Sequence, residues 1–207
     1  MINQVLPRSS RGVRGGEPRC NAFTLIELVL VVGIITVLSG LVLTTVGYAR
    51  KKGARARAET EIAAMSAAIE NYKADNSVYP NNPATNGLDA RTMGNPTGTT
   101  DPTYNSSSVD LYVKLSGDIN KDRNPTGKSY MSFKPNMLLP PGGSGTVIAI
   151  ADPFGNSYGY STAANPQANP TPSGTPGYNP TFDLWTTCTL TNSPPTAADQ
   201  NQWIKNW

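Results

Sequence analysis

An α+β fold is predicted for this chain of 207 residues, with one long N-terminal helix packed against a small C-terminal antiparallel sheet. Three observations predict it. Residues 23–46 are apolar and carry one charge, that of Glu27. Residues 47–79 continue with a helical spacing of apolar residues and contain no proline. Short β-type segments separated by Gly, Pro and Asn follow within residues 80–207, which are predicted to form a loop-rich head.

Charge and composition exclude several classes of function. Only 15% of the residues are charged, below the usual quarter, and the basic excess lies in residues 1–22, which hold four arginines and one glutamate. The rest of the chain has no net charge, so no nucleic-acid-binding surface is expected. The chain has no histidine and therefore lacks the usual general base. No nucleophile or phosphate-loop motif is present, and the chain is not predicted to be an enzyme.

The two cysteines are Cys20 and Cys188. They flank almost the whole chain and are expected to be poor disulfide partners, so an extracytoplasmic head must rest on its core or on a metal. Lipidation of Cys20 is disfavoured because no apolar run precedes it. Cys188 has no histidine to activate it, which argues against a thiol nucleophile.

Residues 23–46 are long enough to cross a membrane. A helix of 24 residues spans about 36 Å, against about 30 Å of hydrocarbon. A buried helix of a soluble protein is disfavoured because the segment is apolar all round. A signal peptide cut after Ala49 is disfavoured because its apolar core would exceed about 15 residues. A plain anchor leaves Glu27 unexplained, since a carboxylate near the membrane centre costs roughly 2.5–3.5 kcal/mol.

The sequence Ala22-Phe23-Thr24-Leu25-Ile26-Glu27 before an apolar run resembles the prepilin processing motif of type IV pilins and type II secretion pseudopilins. The resemblance implies a type IV pilin-like fold. It also implies cleavage between Ala22 and Phe23 by a prepilin peptidase, loss of the basic leader of residues 1–22, and methylation of the new amine of Phe23. The family prefers glycine before the cut, and Ala22 shares its small size.

Charge pairing gives Glu27 an expected role in assembly. After cleavage, the amine of Phe23 is a cation near lipid, and Glu27 is an anion of opposite sign. Pairing between neighbouring chains would offset desolvation and fix the stagger of the helices. The resemblance implies these partners: other copies in a homopolymeric filament, the prepilin peptidase, minor pseudopilins and an assembly platform in the inner membrane.

Basic residues alone do not orient the chain in a membrane. Four arginines precede the apolar segment and five basic residues follow it, namely Arg50, Lys51, Lys52, Arg55 and Arg57, so the positive-inside rule favours neither direction. Only the resemblance places the leader in the cytoplasm, a single span in the bacterial inner membrane and the head in the periplasm.

Residues 47–79 are predicted to form an amphipathic continuation of the helix. One face carries apolar residues at helical spacing, Ala58, Ile62, Met65, Ile69 and Tyr72, and is expected to pack against the sheet. The helix is expected to end before Pro80, and the stretch AIENYKADNSVYP resembles the helix end of major pseudopilins.

The middle of the chain gives weaker signals. Residues 80–107 are rich in Asn, Pro, Gly and Thr and are expected to form a long surface loop. Ser108 is expected to cap a short helix that Gly117 ends. The alternating stretch GKSYMSF, residues 127–133, is expected to form a short strand.

The C-terminal part carries a second resemblance. The stretch TVIAIADPFGNSYGYST predicts strand, turn and strand, with Asp152 opening a type I turn. Together with a later strand at Phe182-Asp183-Leu184-Trp185 and with Ile204-Lys205-Asn206-Trp207, it resembles the C-terminal region of major pseudopilins. Asp183 is expected to be a turn or salt-bridge partner.

The resemblance also raises the question of calcium. Major pseudopilins often hold calcium in the loop after this strand, and calcium takes six to eight oxygens. Here Asp199 is the candidate ligand, with Thr191 and Asn192 as further oxygen donors. The alternative is a loop without metal, packed by Trp185, Trp203 and Trp207.

Three functions remain open from the sequence. The first is a subunit of the periplasmic pseudopilus of a type II secretion system. The second is a type IV pilin of a surface fibre used for adhesion, motility or DNA uptake. The third is a single-pass anchored binding module. An N-terminus at Phe23 would favour the first two, and an uncut chain would favour the third.

Overall fold

The computed structural model describes residues 23–92, 101–172, 174–188 and 196–207, with the backbone alone for residues 43–45. The predicted leader of residues 1–22 therefore lies outside the described residues, and so do Thr191 and Asn192. The chain divides into two compact units, Met1–Val46 and Gly47–Trp207, which are described separately below.

Helix α1, Leu25–Asn76, provides the described part of the first unit and continues into the second. In the first unit its described side chains are exposed and mostly apolar, with exposed fractions of 81% at Leu25 and 48% at Val31. By length and composition this part of α1 is able to cross a membrane. The long apolar helix predicted from the sequence is thus confirmed.

In the second unit, α1 buries the face that the periodicity predicts. Ala58, Met65 and Ile69 are fully buried, and Tyr72 packs at the edge of the same core. The helix ends where Ser77 adopts a left-handed conformation, with φ of 62°. The backbone N–H of Ser77 donates to the carbonyl of Lys73 at 2.7 Å, a bond that closes the last turn.

The prediction of a surface loop over residues 80–107 is wrong in part. A short helix α2, Pro83–Gly87, begins at a capping box formed by Asn82 and Thr85. Leu88 and Ala90, which follow it, are fully buried. Asparagine and proline are common in loops, but Asn as N-cap and Pro in the first turn also begin helices.

Helix α3, Pro102–Ser116, begins earlier than the sequence suggests. Its N-cap is Asp101, whose carboxylate accepts from the backbone N–H groups of Thr103 and Tyr104 at 3.0 and 3.3 Å. Ser108 is therefore not a cap: it lies inside the helix, and its hydroxyl accepts from the N–H of Ile150 at 2.8 Å. Gly117 ends the helix in a left-handed conformation, as predicted.

The segment after α3 does not form the strand predicted for residues 127–133. The backbone N–H groups of Tyr130 and Met131 instead donate to the carbonyl of Leu115, at 2.7 and 3.1 Å. These bonds satisfy a carbonyl at the end of α3, where no helical partner exists.

In the part of the chain that the structure describes, five short strands form two antiparallel sheets. A 3₁₀ helix, Pro135–Met137, leads into β1, Leu138–Leu139, which pairs with β2, Ala149–Ile150. The second sheet has the order β3-β4-β5, formed by Gly159–Ser161, Asp183–Thr186 and Ile204–Lys205. Helix α4, Ala197–Gln200, precedes β5. The predicted strand order of the C-terminal region and the α+β class are confirmed.

Among the described residues of this unit, two larger clusters of buried side chains and a small one of Leu139, Ala149 and Ala151 form the core. The main cluster joins α1 to α3 and both sheets. The second contains Leu88, Ala90, Tyr104, Trp185 and Trp203, with Trp207 at its edge, so the three tryptophans pack together as predicted. Part of region 80–107, which the sequence predicts as a surface loop, thus contributes buried side chains to this second cluster.

Gly159 in β3 is required by the tryptophan beside it. A Cβ built on Gly159 would lie well inside contact distance of Cε2 and Cζ2 of Trp185, and that ring is fully buried. The side chain of Trp185 therefore covers the backbone of its cross-strand partner Gly159.

Gly159→Ala is expected to destabilise the head by about 1–3 kcal/mol, because the new methyl forces the Trp185 ring out of a packed site. Calorimetric unfolding of the full chain in detergent measures the change. The matched control is Gly87→Ala in α2, where a Cβ meets nothing within 4 Å and a neutral result is expected. Equal stability of the two variants would contradict the steric argument.

Candidate functional site

The first turn of α1 contains the carboxylate that the sequence singles out. Oε2 of Glu27 accepts from the backbone N–H of Thr24 at 2.9 Å and from its hydroxyl at 2.8 Å. The N–H of Glu27 in turn approaches the Thr24 hydroxyl oxygen at 3.4 Å. Thr24 and Glu27 thus form a reciprocal capping box at the start of the helix.

Sequence reasoning missed this local role of Glu27. The signal was present, because Thr-x-x-Glu ahead of an apolar run is the pattern of a capping box. The cap satisfies N–H groups that have no partner at a helix start, and a carboxylate there also interacts favourably with the helix dipole. A helix cap and an assembly contact are therefore two separate explanations for the same side chain.

The surroundings of Glu27 are exposed and apolar. Phe23, Leu25 and Ile26 have exposed fractions of 83%, 81% and 74%, and Glu27 is also exposed. Exposed apolar surface of this extent marks contact with a membrane or with other proteins. The structure thus places two predicted site residues, Phe23 and Glu27, within one turn of each other, whereas Ala22 lies outside the described residues.

A second carboxylate ties α1 to the residue just before β3 inside the head. Glu61 is buried, accepts from Nε of Arg57 at 2.6 Å and accepts from the hydroxyl of Tyr158 at 2.8 Å. Burial and the neighbouring Glu61 carboxylate raise the pKa of Tyr158, so this phenol stays a hydrogen-bond donor. The pair fixes the register of α1 against the sheet.

The predicted turn at Asp152 is confirmed. The N–H of Gly155 donates to the carbonyl of Asp152 at 3.1 Å, and Oδ1 of Asp152 accepts from the N–H groups of Phe154 and Asn156 at 2.9 and 2.8 Å. Oδ2 accepts from the hydroxyl of Thr186. Burial raises the pKa of Asp152 to about 6, although these hydrogen bonds oppose the shift.

The end of β4 is held by the same turn. The side-chain amide of Asn156 donates to the carbonyl of Cys188 at 2.6 Å, while Nη1 of Arg55 donates to Sγ of Cys188 at 3.3 Å and to the carbonyl of Gln202 at 2.9 Å. Burial raises the pKa of the Cys188 thiol, which disfavours the thiolate that nucleophilic chemistry needs.

Asp199, the candidate calcium ligand, caps a helix. Its Oδ2 accepts from the N–H and from the hydroxyl of Thr196, both at 2.8 Å. Across the described ranges no group of three or more His, Cys, Asp or Glu side chains is placed to hold a metal ion. The described donors fit a helix cap rather than calcium, and ligation by Asp199 with Thr191 and Asn192 stays a prediction.

Asp183 organises the turn before β4, as expected from the sequence. Its carboxylate oxygens accept from the backbone N–H groups of Tyr178 and Asn179, both at 2.8 Å. The side chain is almost completely buried, and burial raises its pKa. Asp183 is thus a structural residue of the head.

The long helix, apolar in its first unit and amphipathic in its second, and the small antiparallel sheet define a pilin-like α+β protein. Type II secretion system core protein G of Vibrio cholerae is 33% identical to this chain over 125 residues, which is 60% of this chain and 74% of that protein. The protein of the same name from Aeromonas hydrophila is 30% identical over 121 residues, 58% of this chain and 77% of that protein.

The chain belongs to the family of type II secretion system core protein G, and is a pseudopilin subunit of that system. The protein of the same name from Dickeya chrysanthemi is 36% identical over 64 residues, 31% of this chain and 42% of that protein. No family model matches the chain, and no solved structure matches it.

The pKa of Asp152 predicts how the stability of the head depends on pH. Its ordinary value is 3.8 and its value in the folded head is about 6, so the folded state favours the protonated form. The stabilising contribution is complete below about pH 4 and is lost as the pH rises through 6.

The free energy of unfolding of the wild type should therefore fall by about 2 kcal/mol relative to Asp152→Asn between pH 4 and pH 7. Asparagine keeps the acceptor oxygen for Phe154 and Asn156 and does not ionise. Denaturant titrations of both full-length proteins in detergent, at four pH values, measure the difference. Parallel pH profiles would show that Asp152 ionises normally in the folded head.

Proposed function

We propose that the chain is made as a membrane precursor, cut between Ala22 and Phe23, methylated on Phe23 and polymerised through Glu27. The filament is the periplasmic pseudopilus of a type II secretion system, in which subunits assemble to push exported proteins outward. The observation that carries this proposal is an exposed carboxylate at the start of an exposed apolar helix.

The charge at Glu27 is unfavourable for an isolated subunit in lipid, because desolvation of a carboxylate costs several kcal/mol. Cleavage before Phe23 supplies a cation that the precursor lacks. In a filament, the amine of one subunit pairs with Glu27 of its neighbour. Attraction between opposite charges is strong in a low dielectric. The contact forms only at the stagger of neighbouring helices that brings the Phe23 amine of one subunit next to Glu27 of the other, so the pair favours that stagger.

The capping box is compatible with this role. Both hydrogen bonds from Thr24 reach the same oxygen, Oε2. A carboxylate has two oxygens and about four acceptor positions, so Glu27 is able to cap its own helix and accept from a neighbouring amine. The cap also holds the carboxylate in one conformation before assembly, which lowers the entropy cost of the contact.

The proposed location follows from the same features. The segment of α1 in the first unit spans the inner membrane once, and residues 1–22 lie in the cytoplasm. The head of residues 80–207 and the amphipathic segment of residues 47–79 lie in the periplasm. The partners are other copies of the chain, the prepilin peptidase, minor pseudopilins and the membrane assembly platform. The role is structural, and no catalytic activity is proposed.

Glu27→Gln separates the two roles of this side chain. Glutamine at the third helical position still completes a capping box but carries no charge. The variant is expected to be cut and membrane-bound while filament incorporation falls at least tenfold. Quantitative recovery of sheared filaments from cells measures incorporation, and mass spectrometry checks the cut.

Thr24→Ala is the matched control for this test, because it removes the cap and keeps the carboxylate. It should cost about 1 kcal/mol of helix stability and leave most filament incorporation intact. If Glu27→Gln assembles normally while Thr24→Ala does not, Glu27 is a helix cap and the assembly proposal fails.

The native N-terminus is a separate expected outcome. Peptide mass spectrometry of membranes that contain the prepilin peptidase should find a chain that starts at Phe23 and is 14 Da heavier than the free amine, the mass of about one methylene. Membranes without the peptidase should contain the chain with residues 1–22 attached. A start at Arg50 in both would instead identify the apolar segment as a signal peptide.

A further inference from the structure

A bare stretch of α1 lies at the start of the second unit. Every residue from 46 to 53 is exposed, and burial against the head core begins at Ala58. Three consecutive residues in this stretch are cationic: Arg50, Lys51 and Lys52, called here the basic collar. The head core does not cover the collar, so its function is not to stabilise the core.

The collar differs from the basic residues that follow it. Arg55 donates to Cys188 and Gln202, and Arg57 pairs with Glu61, so both are tied into the head. Within the described ranges, the ion pairs are Arg57–Glu61 and Lys128–Asp75, and neither involves the collar. The three collar side chains are thus available to an external partner.

The collar charge is not balanced by nearby acids. Between Glu27 and Glu59 the sequence contains no aspartate or glutamate. Successive residues of an α-helix are about 100° apart, so the three cations fan over roughly 200° of the helix circumference. Side chains that point in three directions around the helix are better placed to contact several anions in a plane around it than to bind one anion together.

The neighbouring sequence identifies that plane as a membrane surface. The apolar segment ends at Val46, and Tyr48, with an exposed fraction of 72%, precedes the collar. Tyrosine is enriched at the level of lipid headgroups, and basic residues beyond a membrane helix are attracted to anionic lipids. Arginine and lysine both bind phosphate, arginine with two donors at once.

We propose that the basic collar binds the phosphates of anionic phospholipids at the end of the membrane segment. This binding holds the subunit in the bilayer before assembly, and entry into a filament must replace the lipid contacts. Lipid binding by the collar does not depend on which side of the membrane it faces. Its placement in the periplasmic leaflet rests on the proposed function.

The test compares the affinity of the purified full-length chain for two lipids. The chain in neutral detergent is titrated with phosphatidylglycerol or phosphatidylcholine, and bound lipid is counted by native mass spectrometry. Each basic residue near an anionic surface contributes about fivefold in affinity. We expect at least a tenfold preference for phosphatidylglycerol that weakens as salt screens the charges.

The variant Arg50→Gln/Lys51→Gln/Lys52→Gln should lose this preference. The control Lys114→Gln/Lys121→Gln/Lys134→Gln removes the same charge from the head and should keep it. The exchange Arg50→Lys/Lys51→Arg/Lys52→Arg preserves charge and should also keep it. Near-ultraviolet circular dichroism checks that each variant is folded. If the triple variant is not folded, the single variant Lys51→Gln is used instead and should show a smaller loss of the preference for phosphatidylglycerol.

Equal affinity for the two lipids, or a preference that survives loss of the collar, would overturn the proposal. A collar variant that keeps the lipid preference and fails only in filament recovery would assign the collar to a neighbouring subunit. That result would leave the role of Glu27 intact, because the Glu27→Gln and Thr24→Ala comparison is made on chains with an intact collar.

Discussion

Burial of one face of α1 beneath the sheet is the contact on which the head depends. Ala58, Met65 and Ile69 supply the apolar part of this contact, and the Glu61 carboxylate with the Tyr158 hydroxyl supplies its polar part. Apolar packing tolerates small shifts, whereas a buried charge without its donor is costly. The polar pair therefore selects one register for a helix whose apolar stripe alone would permit others.

Carboxylates elsewhere in the chain follow the same physical rule, that a charge away from water needs donors. Asp152, Asp183 and Asp199 each accept from backbone N–H groups and fix a turn or a helix start. Glu27 has a comparable local partner in Thr24 but is surrounded by exposed apolar side chains instead of a core. That difference in surroundings, rather than the cap itself, is the reason for proposing that Glu27 acts in assembly.

Elements with strong periodicity were predictable from the sequence, and elements that depend on distant contacts were not. The apolar helix, its amphipathic face and the strands around Asp152 and Asp183 were found because their signals are local. The polar residues of region 80–107 predict a loop because they resemble a linker, yet Leu88 is buried against Trp185 and Trp203, which are far away along the chain. The role of Ser108 is not visible in the sequence either, because its partner, the N–H of Ile150, lies 42 residues further along the chain.

All three tryptophans of the chain contribute to one cluster. The ring centroids of Trp185 and Trp203 are 6.2 Å apart with the rings stacked, and those of Trp185 and Trp207 are 5.9 Å apart with the rings edge-on. Tryptophan emission from this protein therefore originates in the C-terminal region alone. A melting curve followed by tryptophan emission will record the loss of that cluster and will not detect whether the apolar part of α1 stays helical. Tryptophan emission would then report unfolding of the C-terminal cluster, and far-ultraviolet circular dichroism would report loss of helix, mainly of α1.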